Sequence, residues 1–258
     1  MRYKIILSYD GSQFFGWQTQ PEAVTVQETL EKALSTLLRR QTSVTGAGRT
    51  DTGVNAIHYV AHFDTDSAID ADSVCYKLNA ILPHSIVAHS ITEAAADFHA
   101  RFDASRREYT YFLHRRKDPF VERYSYFCGY DLDFEAMNRA ASMLLGRHDF
   151  SCFEKTGGDN KTSFCTIFKA EWTRYSPIIL QNGDGYWCFK VEADRFLRNM
   201  VRAIVGTLID VGRGKRSPDS ILDLIVSGDR CQAGESVPGN ALFLTKVGYD
   251  ITSNPVEG

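Results

Sequence analysis

The sequence predicts an α+β protein, and three observations lead to this fold class. The chain has 258 residues, 43% of them hydrophobic and 24% charged, so it can bury a sizeable core and is too apolar for a disordered chain. It contains only 7 prolines, which excludes collagen-like and proline-rich classes. Segments with apolar residues at every second position alternate with segments that have helical spacing, and both kinds occur in both halves of the chain.

The first two elements are a strand and a helix. Residues 3–9 place aromatic and aliphatic side chains at period two, which predicts a strand that ends at Asp10. Thr25 followed by Glu28 forms a capping box, the usual start of a helix. The apolar stripe behind this box predicts that the helix continues to about Arg40.

A loop rich in glycine comes next, at residues 45–53. The β-branched and aromatic residues of 56–63 predict a strand after it, so the loop is expected to lie between strands. A helix at 73–82 and strands at 85–91 and 107–114 complete the first part of the chain. This order of strands and helices is typical of an α+β fold.

The second part of the chain repeats this mixture without repeating the sequence. Residues 131–146 predict a helix, and 163–175 and 186–193 predict two strands joined by a loop. The apolar residues of 196–212 line one broad face of a further helix. Residues 242–249 predict a closing strand.

The charge balance and the cysteines exclude several functions. With 29 basic and 32 acidic side chains the formal charge is −3, so a polyanion would have to be bound by local patches. No two of the 6 cysteines form a CxxC pair, which argues against a zinc module or redox dithiol and favours free, buried thiols. The chain shows neither a signal peptide nor an apolar stretch of membrane-spanning length. We therefore expect a cytoplasmic protein that does not act in a membrane.

The loop Gly46–Gly53 is the densest functional signal, because its glycines allow close approach of a ligand and its other side chains are mostly polar. It lacks the Lys of a phosphate-binding loop, and the strand after it distinguishes it from a dinucleotide-binding motif. Two interpretations stay open. Asp51 either bonds backbone amides in a tight turn, or it is a carboxylate nucleophile with Arg49 as a neighbouring cation.

Two basic stretches point to a polyanion partner. Residues 195–216 contain six basic side chains and one acidic side chain, which resembles a phosphate-binding surface. Residues 101–124 contain seven basic and four acidic side chains with aromatic residues among them, and such aromatic residues can stack on bases. Taken alone, the second stretch is better explained by a solvated strand face. His58 and His62 lack the spacing of metal ligands, so no metal site is expected.

Six segments carry a resemblance to a known family. They are YDGSQFFGWQ at 9–18, GAGRTDTGV at 46–54, FHARF at 98–102, REYTY at 107–111, GRHDF at 146–150 and FLRNMVR at 196–202. In this order, and across nearly the whole chain, they closely resemble the tRNA pseudouridine synthase A family, also called the TruA family. The resemblance implies the pseudouridine synthase fold: two halves of mixed, mainly antiparallel sheet, flanked by helices around a central cleft.

The resemblance also implies an activity and the residues that perform it. It implies an isomerase that detaches uracil from its ribose and reattaches it through C5, at positions 38 to 40 of the tRNA anticodon stem-loop. By matching positions, Asp51 is the nucleophile and Arg202 is its ionic partner. Arg49 helps to displace the target base, Tyr109 stacks on the flipped uracil, and Leu242 lies beside it. Whether Asp51 attacks C6 of the base or C1′ of the sugar, or promotes a glycal route, stays open. The group that removes the C5 proton also stays open, with Tyr109 as a candidate.

The expected halves are residues 1–104, which carry Asp51, and residues 105–258. The resemblance implies a homodimer with tRNA as its partner, and the redox-neutral chemistry implies no cofactor or metal. Four arginines in the basic stretches are candidates for tRNA contact: Arg101, Arg115, Arg116 and Arg198. Two alternatives stay open, namely a non-catalytic RNA-binding protein and an aspartate-dependent nucleoside hydrolase.

Overall fold

The computed structural model describes residues 1–157, 161–177 and 185–249, and it has the predicted α+β architecture. In chain order the strands are β1 (Arg2–Tyr9), β2 (Val44–Gly46), β3 (Asn55–Asp64), β4 (Ile86–Ala94), β5 (Ala104–His114), β6 (Tyr126–Phe127), β7 (Gly146–Asp149), β8 (Phe164–Arg174), β9 (Tyr186–Ala193) and β10 (Leu242–Tyr249). The helices are α1 (Val26–Leu38), α2 (Ala71–Ile81), α3 (Phe134–Ser142), α4 (Met200–Gly212) and α5 (Ser220–Ser227). Every strand and helix predicted from periodicity is present, with its ends shifted by a few residues.

Short-range hydrogen bonds set the starts of three helices. Thr25 Oγ1 accepts a hydrogen bond of 3.3 Å from the Glu28 amide, so the predicted N-cap of α1 is confirmed. Asp70 and Asp133 cap α2 and α3 in the same way. Each cap satisfies an amide that has no partner within its own helix, which explains why these helices begin where they do.

The ten strands of the described residues form one sheet. Along its main path the order is β4-β1-β3-β10-β5-β9-β8-β7, with β2 beside β3 and β6 beside β5. Two pairs are parallel, β10 with β3 and β5 with β6, and the other pairs are antiparallel. The mixed, mainly antiparallel sheet is therefore confirmed. Strand β10 hydrogen-bonds to strands from both halves of the chain and joins them.

Two hydrophobic clusters pack against the same face of this sheet. One surrounds α1 and α2 and includes Leu244 of β10, and the other surrounds α3 and α4 and includes Leu242. Because side chains two residues apart in a strand point to the same face, both clusters lie on one face and meet along β10. Tyr109 of β5 contacts both. The predicted cleft therefore lies between the two groups of helices, above β10 and β5.

Some details differ from the prediction. Helix α3 ends at Ser142, and Gly146, with φ of +97°, begins β7 instead of closing the helix. Helix α4 begins at Met200 and not at Phe196, because Asn199 has φ of +64°, a left-handed conformation that interrupts a helix. Strands β2, β6 and β7 and helix α5 are too short to show a clear period in the sequence. The loop predicted between β8 and β9 lies mostly outside the described residues.

Candidate active site

Asp51 lies on the loop that connects β2 to β3, on the side of the cleft formed by the first half of the chain. The main chain forms a turn here, in which the Val54 amide donates to the Asp51 carbonyl at 3.1 Å. Thr50 is buried, and its hydroxyl shares a hydrogen bond of 2.9 Å with the hydroxyl of Tyr9. The Asp51 side chain is 28% exposed. The tight turn thus uses the main chain of Asp51 and leaves its carboxylate accessible to a ligand.

Two glycines of the segment after β1 pack directly against this loop. A Cβ atom on Gly16, whose φ is +88°, would lie 2.3 Å from the Thr50 carbonyl oxygen. A Cβ atom on Gly11 would lie 2.1 Å from the Val54 carbonyl oxygen. The Trp17 amide also donates to the Thr50 carbonyl at 3.2 Å. The main chain that carries Asp51 is therefore held by another main chain, at a distance that no side chain permits.

Asn55, which the sequence does not single out, joins the loop to two other segments. Its side chain is buried at the start of β3. Its Oδ1 atom accepts a hydrogen bond of 2.8 Å from the Gly11 amide, and its Nδ2 atom donates to the Asn240 carbonyl at 2.7 Å. Hydrophobic periodicity does not identify a buried polar residue, and the hydrogen-bond partners of Asn55 are distant in the sequence. The segment before β10 is thereby tied to the loop of Asp51.

Helix α4 supplies the cation that faces Asp51. Arg202 Nη1 lies 3.3 Å from Asp51 Oδ2, and the two residues are 151 positions apart. Arg202 Nε donates to the Val237 carbonyl at 2.7 Å, which fixes the plane of the guanidinium. The rest of α4 is largely buried, with Ile204 and Leu208 in the second cluster. The structure therefore brings together the two charged side chains that the resemblance pairs.

Strands β5 and β10 form the floor of the cleft beside this ion pair. Tyr109 of β5 is partly buried, and its ring meets that of Phe196 edge-on at a centroid distance of 5.2 Å. Burial and the nearby charge of Asp51 raise the pKa of the Tyr109 phenol well above its usual value. Leu244 of β10 pairs with Tyr109, and Leu242 lies two residues along the same strand, buried in the second cluster. Tyr109 and Leu242 thus share one face of the floor.

Three predicted cations are exposed around the site: Arg49, Arg101 and Arg198. Arg107 holds their segments together, because its guanidinium donates to the nearby Ala104 carbonyl at 2.6 Å and to three further main-chain carbonyls in different parts of the chain. These are the carbonyls of Arg101 at 2.7 Å, Ala47 at 3.1 Å and Asp194 at 2.8 Å. Ala47 begins the loop that carries Asp51, and Asp194 precedes α4 by a few residues. Arg107 therefore joins both sides of the cleft, a role that its place in the REYTY motif does not indicate.

Arg115 and Arg116 are not part of this group. They follow the far end of β5, which places them about 20 Å from Tyr109 at the usual rise of a strand. Arg115 forms an ion pair with Asp131 at 2.7 Å, and Arg116 is exposed. If these two arginines contact a ligand, they contact it at a distance from Asp51.

The cysteines are free thiols, as expected, but they are not all buried. Cys128, Cys152, Cys165 and Cys188 are buried, whereas Cys75 is half-buried and Cys231 is exposed. Burial raises the pKa of the Cys152 and Cys165 thiols to about 12, so these two are poor nucleophiles.

No cluster of three or more His, Cys, Asp or Glu residues that could hold a metal ion occurs in the described part of the chain. The absence of a metal from the working protein stays a prediction. Within the same residues, no helix is long and apolar enough to cross a membrane.

The fold and this site define a class of protein. One accessible carboxylate is paired with an arginine, and further exposed arginines lie in neighbouring segments, an arrangement that suits the binding of a substrate rich in phosphate.

Comparisons with known proteins give the family. The profile of the family described as tRNA pseudouridine synthase matches residues 5–103 and 140–250. A Bacteroides fragilis protein named tRNA pseudouridine synthase A is 49% identical over 249 residues, which cover 96% of each chain. Proteins of the same name from Bacteroides thetaiotaomicron and Parabacteroides distasonis are 50% and 48% identical, over 96% and 99% of this chain and 90% and 99% of theirs. The chain belongs to the tRNA pseudouridine synthase family, and the resemblance seen in its six motifs is confirmed.

Proposed function

We propose that this protein is an isomerase that converts uridine to pseudouridine at positions 38 to 40 of the tRNA anticodon stem-loop, with Asp51 as the nucleophile. The observation that carries the proposal is the contact of 3.3 Å between Arg202 and Asp51, which joins the two sides of the cleft in a chain of this family. The names of its relatives support tRNA as the substrate.

Asp51 has the chemistry that the reaction needs. Attack by a carboxylate divides the isomerisation into two easier steps, cleavage of the bond between N1 and C1′ and formation of the bond between C5 and C1′. The base loses its C5 proton and gains a proton at N1, so the product is an isomer of the substrate and no electron carrier takes part. The charged hydrogen bond from Arg202 holds the Asp51 carboxylate in one orientation while the base is exchanged.

The residues around Asp51 are suited to bind a uracil base that is flipped out of the tRNA stem. Flipping a base out of a stem costs a few kcal/mol, which stacking on an aromatic ring can offset. Tyr109 offers such a ring. Its raised pKa keeps the phenol protonated at neutral pH, which supports stacking and hydrogen-bond donation over removal of the C5 proton. Leu242 provides an apolar contact for the base, and the exposed Arg49 lies on the same loop as Asp51, where it can enter the space that the base leaves.

The remaining contacts concern the body of the tRNA. The formal charge is −3, so attraction to phosphates comes from the basic stretches and should weaken steeply with salt. We assign Arg101 and Arg198, both exposed, to contacts with the stem-loop. Arg115 and Arg116, about 20 Å from Tyr109, are placed for a more distant part of the tRNA. We include a homodimer in the proposal, in which one subunit contacts the tRNA body while the cleft of the other takes the target uridine.

The proposal also divides the chain into halves of 1–104 and 105–258, which form the two walls of the cleft. The two hydrophobic clusters support this division, with β10 shared between them. The absence of a membrane-spanning helix among the described residues agrees with the cytoplasm as the location, where tRNA is modified.

The test is incubation of the protein with unmodified tRNA transcript, followed by mapping of pseudouridine along the tRNA and measurement of free uracil. We expect pseudouridine at positions 38 to 40 and no free uracil. A transcript with cytidine at these positions is the matched control and should yield no product. Free uracil would identify a nucleoside hydrolase, and binding without any product would identify a non-catalytic RNA-binding protein.

A further inference from the structure

The turn between β4 and β5 presents an aromatic ring to solvent. Phe102 is 75% exposed, although it belongs to a tightly bonded segment. His99 organises this segment: its Nδ1 atom accepts hydrogen bonds of 3.2 Å from the amides of both Arg101 and Phe102. The Asp103 carboxylate accepts a hydrogen bond of 2.8 Å from the His99 amide, and the Asp103 amide donates back to the His99 carbonyl at 3.0 Å. The turn is therefore preformed.

The Phe102 ring is also supported by its neighbours. The His99 ring lies against it at a centroid distance of 4.2 Å and an interplanar angle of 32°. The guanidinium carbon of Arg101 lies 5.7 Å from the Phe102 centroid. A single exposed phenylalanine has no special meaning on a protein surface. A ring that is supported by a histidine and placed beside an arginine has the parts of a stacking surface for a base and a contact for its phosphate.

Arg107 places this turn beside the catalytic loop. The same Nη2 atom donates to the carbonyls of Arg101 and Ala47, at 2.7 and 3.1 Å, so the two segments are separated by a single nitrogen. Ala47 precedes Asp51 by four residues. The four acceptors that Arg107 contacts are neutral main-chain carbonyls, and the exposed Arg101 adds a second cation at this turn, where a phosphate can be bound.

We propose that Phe102 is a stacking site for an unpaired nucleobase of the tRNA, next to the target uridine, and that Arg101 contacts the adjoining phosphate. The inference rests on the proposed function and assigns a specific residue to substrate recognition. An unpaired base is the expected ligand because paired bases hide their faces within the helix, whereas loop bases can stack on a protein ring. The site would therefore recognise the anticodon loop and not the stem.

The test compares three variants on an anticodon stem-loop that carries 2-aminopurine at successive loop positions. The substitution Phe102→Ala removes the ring, Phe102→Trp keeps a stacking surface, and Tyr76→Ala removes a ring that is 79% exposed on α2. With Phe102→Ala we expect Kd to rise about tenfold and the quenching at one loop position to disappear. Phe102→Trp should restore both, and Tyr76→Ala should change neither. All three should melt like the wild type, because the replaced rings are exposed.

Unchanged binding and quenching in Phe102→Ala would overturn the inference, as would weaker binding with full quenching. A loss of dimer in sedimentation with Phe102→Ala would also overturn it, because the ring would then be a protein contact. Mapping of pseudouridine in the wild type separates the two proposals. If no pseudouridine forms but Phe102→Ala still abolishes quenching, the proposed function alone fails. If pseudouridine forms with the same kcat/KM in wild type and Phe102→Ala, the stacking site alone fails.

Discussion

The two sides of the cleft hold their charged residues by different kinds of contact. Asp51 lies on a loop that is positioned by main-chain contacts, with Gly16 and Gly11 packed against its carbonyls. Arg202 lies on α4, a regular helix that is buried on nearly every side in the second cluster and whose Gly206 packs against the main chain of Glu235. The loop side relies on several main-chain hydrogen bonds, with Ala47 and Val54 buried at its two ends, whereas the helix side is fixed mainly by many small apolar contacts.

This difference has a consequence for mutation. A main-chain contact at a glycine has one geometry, so one added methyl group disturbs it. A buried helix face shares its contacts among many side chains and changes gradually when one of them is altered. We therefore expect the loop side to be sensitive to small changes in its main chain. The helix side should tolerate single changes among its apolar side chains, except at Gly206, where a Cβ atom would lie 1.8 Å from the Glu235 carbonyl oxygen.

The largest effect should come from the carboxylate. We expect Asp51→Asn to lower the rate of pseudouridine formation by at least about 10³-fold, because the amide keeps the shape but is not a nucleophile. The Kd for tRNA should stay within about threefold of the wild type, since nearby phosphate contacts are unchanged. Single-turnover assays and filter binding measure the two quantities. Asp66→Asn, at a carboxylate that is 90% exposed in the same half, is the control and should be fully active. Retained turnover in Asp51→Asn would remove this residue from the mechanism.

The partner on the helix should have the next largest effect. Arg202→Met keeps much of the side-chain length and removes the charged hydrogen bond to Asp51, so we expect kcat to fall about 10²-fold with little change in the melting temperature. Arg213→Met at the end of the same helix is the matched control, because Arg213 stacks on Tyr130 and not on the site. Equal values of kcat in the two variants would show that the ion pair is not needed for the chemistry.

Two glycines with positive φ allow a direct test of the main-chain contact: Gly16, which packs against the Asp51 loop, and Gly214, which follows α4. Gly16→Ala and Gly214→Ala both place a side chain in a left-handed conformation, which costs about 1 kcal/mol. A Cβ atom on Gly214 meets no atom within 4 Å, whereas one on Gly16 collides with the Thr50 carbonyl. We expect Gly16→Ala to lower the free energy of unfolding by about 2 kcal/mol more than Gly214→Ala, and to lower activity as well. Urea unfolding measures the difference. Equal losses in the free energy of unfolding for the two variants would show that the Asp51 loop can shift to accommodate the added methyl group. That result would contradict the expected sensitivity of the loop side.

A gradual effect is expected with acid, on the loop side. His62 of β3 is buried, its Nδ1 atom accepts a hydrogen bond of 3.1 Å from the Ala100 amide, and burial lowers its pKa to about 4. Because the unfolded chain binds a proton near pH 6.5 and the folded chain does not, stability falls as pH drops from 6.5 towards 4. The loss is at most about 3 kcal/mol.

The variant His62→Asn keeps an acceptor and removes the titration, so its free energy of unfolding should depend less on pH across this range. Unfolding in urea at several pH values gives the comparison. Parallel pH profiles for the wild type and His62→Asn would contradict the assignment of the acid sensitivity to this residue.

Much of this protein can be predicted from local patterns. The alternation in residues 3–9 predicted β1, and the Thr25 cap predicted the start of α1, because each signal and its structure involve the same few residues. The motifs also pointed to Asp51 and Arg202 as individual residues. The end of α3 and the start of α4 were predicted less well. Helix α3 ends at Ser142, four residues before the glycine that was expected to close it, and the left-handed Asn199 delays the start of α4.

How these parts meet depends on contacts between segments that are distant in the sequence. Strand β10 lies between β3 and β5, and this pairing brings the two helix groups to one face and places Arg202 beside Asp51. No local pattern encodes a contact over 151 positions, because periodicity reports which face of an element is buried and not what it is buried against. For the same reason the sequence does not reveal the role of Asn55, whose hydrogen-bond partners are distant in the chain. It also does not reveal that Arg101 lies near the site while Arg115 does not, because hydrogen bonds between distant segments form only when the sheet is assembled.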